Sequence, residues 1–244
     1  MTPDPSQQPA ADFPHVGWEA LTRSPLKARL YTQEAHFREG LAATEACYGD
    51  RLTALLHRTA LLIVKPEGLA AGKALPIMTF IHDHGFVPVG VTYRRLSRLQ
   101  WREIWRYQLS AATLDRIAVN DLMLRDPVLI LLLNDTHALH IPASVRLSAL
   151  KGPSDIARQS ATCLRRLLNQ PNRLFSLLHV SDEPADLLRE LAILFDPTTL
   201  RRLLPRLSAH TLAPASARRL QRILELATQS TRTFDLYGDR KSVV

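Results

Sequence analysis

The sequence contains only two cysteines, Cys47 and Cys163, and they lie far apart. Their number and spacing argue against a disulfide scaffold and against a zinc site, and they favour a reducing, cytoplasmic location. No apolar run approaches the roughly 18 residues of a membrane-spanning helix, since the longest runs, 60–64 and 127–133, have the length of strands. The first residues show neither a basic nor an apolar region, so we expect no secretory signal and no membrane partner.

The sequence also lacks the two common glycine-rich loops that bind nucleotide phosphates, Gly-x4-Gly-Lys-Ser/Thr and Gly-x-Gly-x-x-Gly. A nucleotide, if one binds, must therefore be held by another kind of site. His82 and His84 stand two residues apart on a predicted helix, where their rings point to different faces. This spacing argues against a metal site formed by the two histidines.

Acidic residues are the minority among the charged ones. The chain has 31 Lys and Arg against 23 Asp and Glu, a net charge of +8 and a pI near 10.0, which indicates an anionic partner. Residues 199–244 alone hold nine basic and three acidic residues. Nucleic acid is the disfavoured partner, because this segment offers only Phe234 and Tyr237 for stacking on bases. If the protein does bind nucleic acid, the basic C-terminal extension is the segment that we expect to do so.

The pattern of apolar residues divides the 244-residue chain into three predicted parts. Residues 1–57 are predicted to form a disordered leader and a helical extension, and residues 198–244 a basic helical C-terminal extension. Residues 58–197 alternate short apolar strands with helices, and the fourth strand is predicted at 174–178. This order of elements predicts an α+β fold with a ferredoxin-like, four-stranded antiparallel sheet.

Polar groups follow two of the predicted strands. Lys65 stands after the first strand, in Lys-Pro-Glu-Gly, and His179 stands at the fourth, in His-Val-Ser-Asp. A single lysine or histidine at a strand end is weak evidence for a site. The two together, at the end of one small sheet, indicate a site that joins a cation to a nucleophilic imidazole.

These segments resemble those of the nucleoside diphosphate kinase family. Residues 58–68, Arg-Thr-Ala-Leu-Leu-Ile-Val-Lys-Pro-Glu-Gly, resemble its first strand and Lys-Pro-Asp-Gly turn, and residues 85–93 resemble the strand after its first helix. Residues 178–182, Leu-His-Val-Ser-Asp, resemble the catalytic His-Gly-Ser-Asp. Residues 190–197 resemble a helix end that reads Glu-Ile-x-x-Trp-Phe-x-Pro. The resemblance extends in order over residues 58–197.

The resemblance implies a phosphotransferase that moves the γ-phosphate of a nucleoside triphosphate to a nucleoside diphosphate or related acceptor. By this resemblance His179 is the nucleophile that becomes a phosphohistidine, and Glu190, supported by Ser181, fixes its tautomer. Lys65 is then expected to stabilise the charge of the phosphate in the transition state.

The resemblance also implies a set of nucleotide-binding residues: Lys65, Tyr107, Arg146, Ser154, Arg166 and Ser176. Mg²⁺ is the implied cofactor, contacted through water by Asp182. The implied partners are nucleoside tri- and diphosphates and further copies of the chain. A dimer is the expected assembly, because residues 161–172 replace the loop that builds the family's larger oligomers.

Two departures keep a second function open. Ser176 stands where the family has an asparagine that holds the ribose, and the phenylalanine that stacks on the base falls near Leu114 or Asp115. The alternative is therefore a catalytically silent, kinase-like module that binds nucleotides or partners.

Overall fold

The computed structural model describes residues 16–137 and 140–238, with side chains described as far as residue 229. Its centre is one antiparallel sheet of four strands in the order β2-β3-β1-β4. The strands are β1 (Thr59–Val64), β2 (Phe86–Arg94), β3 (Val128–Asp135) and β4 (Leu178–Val180). The two middle strands, β1 and β3, are buried at every residue, as their unbroken apolar sequences require. The predicted ferredoxin-like α+β fold is confirmed.

The helices surround this sheet. They are α1 (Trp18–Leu21), α2 (Pro25–Thr32), α3 (Ala35–Tyr48), α4 (Leu52–Arg58), α5 (Pro66–Ala70), α6 (Ala74–Asp83), α7 (Arg98–Ile104), α8 (Arg106–Leu109), α9 (Leu114–Met123), α10 (Ala143–Lys151), α11 (Leu164–Leu167), α12 (Pro184–Leu194), α13 (Pro197–Leu203) and α14 (Pro214–Gly238). Short 3₁₀ turns lie at Gly49–Arg51, Ile156–Arg158 and Leu204–Ser208. Among the described residues, none of these helices combines the length and the hydropathy that a membrane span requires.

The fourth strand is shorter than predicted and lies later in the chain. Only residues 178–180 pair with β1, so that His179 stands opposite Ile63. Residues 174–177 of the predicted segment lie outside the strand because the chain turns sharply just before it. Leu177 has a φ of +64°, and the N–H of Leu178 donates to the Ser176 carbonyl at 2.7 Å.

The sheet has a separate core on each face, because successive side chains of a strand point to opposite sides. From β1, Leu61 and Ile63 join one core with α3 and α12, whereas Leu62 and Val64 join the other with α6, α10 and α14. In β4, Leu178 and Val180 belong to the second core. His179 therefore points to the face that α12 covers.

The N-terminal helices pack directly on α12. Helix α3 crosses it so closely that a Cβ at Gly40 would lie 2.0 Å from the Leu188 carbonyl oxygen, which only glycine avoids. Between them the buried guanidinium of Arg189 donates to Glu34 Oε1 at 2.5 Å and to the Glu103 carbonyl at 2.6 Å. Burial alone would lower the pKa of Arg189, but the Glu34 carboxylate outweighs burial and raises it. The leader predicted within residues 1–17 lies almost wholly outside the described residues.

The C-terminal helices close the opposite face and the end of β3. Leu220 and Ile223 of α14 are buried against the core of the second face. The side-chain amide of Asn134 donates to the carbonyls of Leu207 and Ala209, at 3.0 and 2.7 Å. Most of the large apolar side chains of the two extensions, as far as residue 229, are thus buried within the same chain as the sheet, whereas Leu26, Leu30 and Leu226 are exposed.

We expect Glu34→Ala to lower the free energy of unfolding by about 3 kcal/mol, because it leaves a buried arginine with only part of its compensation. Urea denaturation followed by circular dichroism measures this change. Glu39→Ala is the matched control, since Glu39 lies in the first turns of α3, the helix that Glu34 precedes, with its side chain 64% exposed. Equal stability of the two variants would contradict the importance of the Glu34–Arg189 pair.

Candidate active site

The site is built around the imidazole of His179. Its Nε2 lies 2.9 Å from Oε1 of Glu190, which projects from α12 and is buried. The hydroxyl of Ser181 donates to the other oxygen of this carboxylate at 2.6 Å. With both oxygens engaged, the carboxylate fixes the rotation of the imidazole ring.

The second ring nitrogen of His179 faces Trp105. The indole N–H lies 3.4 Å from Nδ1, and the two rings meet edge to face at a centroid distance of 5.7 Å. A neutral imidazole carries one proton, so Nε2–H donates to Glu190 and Nδ1 keeps its lone pair, which accepts weakly from the indole. Nδ1 is therefore the ring atom that keeps a lone pair on the side away from Glu190.

Lys65 lies beside this pair of rings, at the point where β1 ends. Its ammonium group donates to Ser176 Oγ at 3.1 Å, pairs with Glu67 at 2.7 Å and lies 5.3 Å from the centroid of the Trp105 ring. Burial lowers the pKa of Lys65 even though the Glu67 carboxylate acts to raise it.

Two more cations line the same cleft as His179. The ammonium of Lys151, at the end of α10, pairs with Asp182 at 3.0 Å, and the guanidinium of Arg165 donates to the carbonyls of Gly152 and Leu178 at 2.8 and 3.3 Å. Burial lowers the pKa of both basic groups. Burial acts to raise the pKa of Asp182, but Lys151 and the hydroxyl of Ser148 outweigh it and lower that pKa to about 2.

These groups open into one cleft of about 260 Å³. Of the residues predicted from sequence, the cleft brings together Lys65, Ser154, Ser176, His179 and Asp182, while Ser181 and Glu190 stand behind the imidazole. Basic side chains dominate the walls, and Asp182 is the one carboxylate among the described residues that line them. The cleft therefore suits an anionic ligand.

Three of the predicted phosphate ligands lie elsewhere. The hydroxyl of Tyr107 donates to Glu34 at 3.1 Å, so this side chain belongs to the contact between α8 and the N-terminal helices. Arg146 pairs with Asp135 at 2.9 Å and donates to the His84 carbonyl, at the far end of α10. Arg166 is exposed and does not line the cleft.

Several residues that the sequence analysis did not select also line the cleft, among them Trp105, Lys151 and Arg165. Helical spacing carried a signal for each of these three. Lys151 follows the buried Leu147 by four residues, and Trp105 follows the buried Trp101 by the same interval, which places each pair on one helix face.

For the arginine pair, the buried Leu164 and Leu168 mark the inner side of α11. Arg165 stands one position past Leu164 and stays near that side, whereas Arg166 stands two positions past it and points away. The buried arginine is thus the one that the helix phase favours.

Comparison with known proteins adds the following. A family model described as nucleoside diphosphate kinase matches residues 58–200, more than half of the chain. No curated protein matches the sequence.

Solved structures of three nucleoside diphosphate kinases are similar to this one. That of Aquifex aeolicus has 19% identity, 58% coverage of this chain, 97% of its own and a TM-score of 0.47. That of Halobacterium salinarum, in complex with CDP, has 22% identity and a TM-score of 0.48, and the match covers 59% of this chain and 90% of that chain. That of Encephalitozoon cuniculi has 14% identity and a TM-score of 0.44, and the match covers 51% of this chain and 80% of that chain.

We expect the affinity for inorganic triphosphate to fall as pH rises, beginning below 10.5, the ordinary pKa of lysine. Burial penalises the ammonium forms of Lys65 and Lys151, so they lose their protons at lower pH than exposed lysines, and the cleft then loses positive charge. Isothermal titration calorimetry between pH 7 and 10 measures the decline.

The double variant Lys65→Arg, Lys151→Arg should move the decline to higher pH, because a guanidinium keeps its charge over this range. Lys73→Arg is the matched control, since Lys73 lies outside the cleft. A wild-type affinity that stays constant to pH 10 would overturn this prediction, as would a decline unchanged in the double variant.

Proposed function

This chain belongs to the nucleoside diphosphate kinase family, and from that premise we propose that it transfers the γ-phosphate of a nucleoside triphosphate to a nucleoside diphosphate or related acceptor through a phosphohistidine at His179. The observation that carries the proposal is the orientation of one ring. Glu190 holds Nε2 of His179 at 2.9 Å, and this leaves the lone pair of Nδ1 in a cleft lined by cations.

In the first half of the reaction, the lone pair of Nδ1 attacks the γ-phosphorus and forms an N–P bond. The bond between this phosphorus and its bridging oxygen breaks, and the electron pair leaves with the nucleoside diphosphate. The ring keeps its proton on Nε2 and becomes positively charged, and the carboxylate of Glu190 offsets that charge. In the second half, a terminal oxygen of the acceptor diphosphate attacks the same phosphorus and returns the electron pair to Nδ1.

The buried cations stabilise the charge that moves during these steps. The transferring phosphoryl group passes through a loose transition state whose negative charge lies on peripheral and leaving oxygens. Lys65, Lys151 and Arg165 come from three separate elements and line the same cleft as His179. Because they are already desolvated and held by neighbouring groups, little reorganisation is needed when the charge develops.

Mg²⁺ fits this site only as a companion of the phosphates. Among the described residues, no group of three His, Cys, Asp or Glu side chains could hold a metal by itself. A magnesium ion is commonly bound by substrate phosphates, water and one or two carboxylates, and Asp182 is the carboxylate that lines the cleft. When bound, Mg²⁺ supplies further neutralisation of phosphate charge, with Asp182 as its water-mediated contact.

We expect His179→Ala to abolish incorporation of phosphate from γ-labelled ATP, since no other group of the cleft combines a nucleophilic nitrogen with a fixed tautomer. The label on the wild-type protein should be lost in acid and kept in alkali, as is typical of a phosphoramidate. His36→Ala, a histidine outside the cleft, is the matched control. A labelled His179→Ala protein would refute the assignment of the nucleophile.

The same experiment separates the two functions that the sequence left open. A wild-type protein that binds ATP with Mg²⁺, stays folded and takes up no label would favour the catalytically silent module. Transfer of the label to an added nucleoside diphosphate would establish the enzyme.

We expect Glu190→Gln to lower the turnover number about a hundredfold while KM changes little. The amide can still accept the hydrogen bond from Nε2, but it carries no charge to offset the positive ring in the phosphorylated state. Steady-state kinetics measure both constants, with Glu39→Gln on the surface of α3 as the control. A rise in KM as large as the fall in the turnover number would instead indicate a role in substrate binding.

A further inference from the structure

The cleft is lined by more basic side chains than the three that lie around His179. Five basic side chains line it, Lys65, Arg116, Lys151, Arg165 and Arg173, against the single carboxylate of Asp182. Three of them, Lys65, Lys151 and Arg165, are at most 8% exposed and form the group around His179 described above. The remaining two, Arg116 and Arg173, are exposed and therefore stand at the mouth of the cleft.

These two mouth arginines come from different parts of the chain. Arg116 lies in the first turns of α9, and Arg173 lies in the loop between α11 and β4. Within the described part of the chain, neither guanidinium lies in an ion pair or donates a hydrogen bond to a protein group. By contrast, Arg98 and Arg102 of the neighbouring helix α7 both pair with Asp121. Among the described residues, the two mouth arginines are thus unpaired hydrogen-bond donors that line the same opening.

The mouth offers charge where stacking would need an aromatic face. Trp105 is the one aromatic side chain among the described residues that line the cleft. Its ring stacks on Trp101 at a centroid distance of 4.9 Å, lies near the ammonium of Lys65 and directs its N–H to His179. The Trp105 ring is therefore already in contact with protein groups near His179, while polar side chains such as Gln108 and Asn120 line the mouth.

We propose that the ligand of this cleft carries at least one phosphate group beyond those gripped next to His179, and that Arg116 and Arg173 bind this additional phosphate. The inference rests on the proposed function for the placement of the reacting phosphates at the inner cations. A guanidinium can donate two parallel hydrogen bonds to phosphate oxygens, so a pair of unpaired arginines suits a phosphate better than it suits a neutral base or sugar.

Two kinds of ligand supply this chemistry: a nucleotide that is also phosphorylated on its ribose, and a linear inorganic phosphate chain longer than the inner cations can cover. One pair of probes tests each source. The first pair is adenosine 5′-diphosphate and adenosine 3′-phosphate 5′-diphosphate, and the second is pyrophosphate and inorganic tetraphosphate. Within each pair the second probe adds phosphate while the reacting end stays the same.

Isothermal titration calorimetry on the full chain carrying His179→Ala measures binding without turnover. We expect the additional phosphate to tighten binding at least tenfold in one or both pairs. The gain should fall to less than threefold when Arg116→Gln and Arg173→Gln are added together. Arg125→Gln is the matched control and should keep the full gain, because Arg125 is an exposed arginine of the same region that does not line the cleft.

The arm that shows the gain identifies the source: ribose phosphate in the first pair, an extended chain in the second. The inference is overturned if neither pair shows a gain, or if the gain persists in the Arg116→Gln, Arg173→Gln protein. These results are independent of the labelling of His179. A protein without a phosphohistidine can still show the gain, and an active phosphotransferase can lack it, so failure of the inference and failure of the proposed function are distinguishable.

Discussion

Two adjacent residues of opposite charge, Arg189 and Glu190, stand on α12, where every residue except Ala192 is buried. Neither charge can reach bulk water, so each must be compensated by a neighbour. Glu190 turns toward the sheet and meets Ser181 and His179, while Arg189 turns away from it and meets Glu34. Helix α12 can pack here only if the fold supplies a partner for each of these two buried charges. The N-terminal helices and the strand that bears His179 are therefore parts of one electrostatic arrangement.

The same reasoning applies on the other side of the imidazole, where cations are buried. Desolvating Lys65 and Lys151 costs free energy, which lowers their pKa values, and within the described part of the chain each forms an ion pair with a single carboxylate. The cleft thus stores positive charge in excess of what the folded chain neutralises. A polyanion that enters the cleft neutralises this excess charge. Part of the free energy that burying the cations costs on folding is then recovered when the polyanion binds.

Sequence patterns were sufficient where the relevant contacts are local. Unbroken apolar runs predicted the two central strands, and the family resemblance paired His179 with Glu190, which lie in contact in the structure. Patterns were insufficient where rotation of a short helix decides the direction of a side chain. Helical spacing favours Trp105 and Arg165 only once Trp101 and Leu164 are known to be buried. The tertiary contacts that bury Trp101 and that hold Tyr107 against Glu34 involve distant parts of the chain.

Among the described residues that line the mouth of the cleft there are two arginines and no tryptophan, tyrosine or phenylalanine ring, and both observations have one physical explanation. A stacked base gains contact area but needs a flat apolar surface, and α9, which borders the mouth, buries none of its residues and presents polar ones there. A guanidinium needs no such rigid surface, because its attraction to phosphate acts over a longer distance and tolerates small displacements of the helix. A cleft with a loosely packed wall can therefore recognise charge more readily than ring shape. Under the proposal for Arg116 and Arg173, phosphate number is the property by which such a site discriminates among ligands.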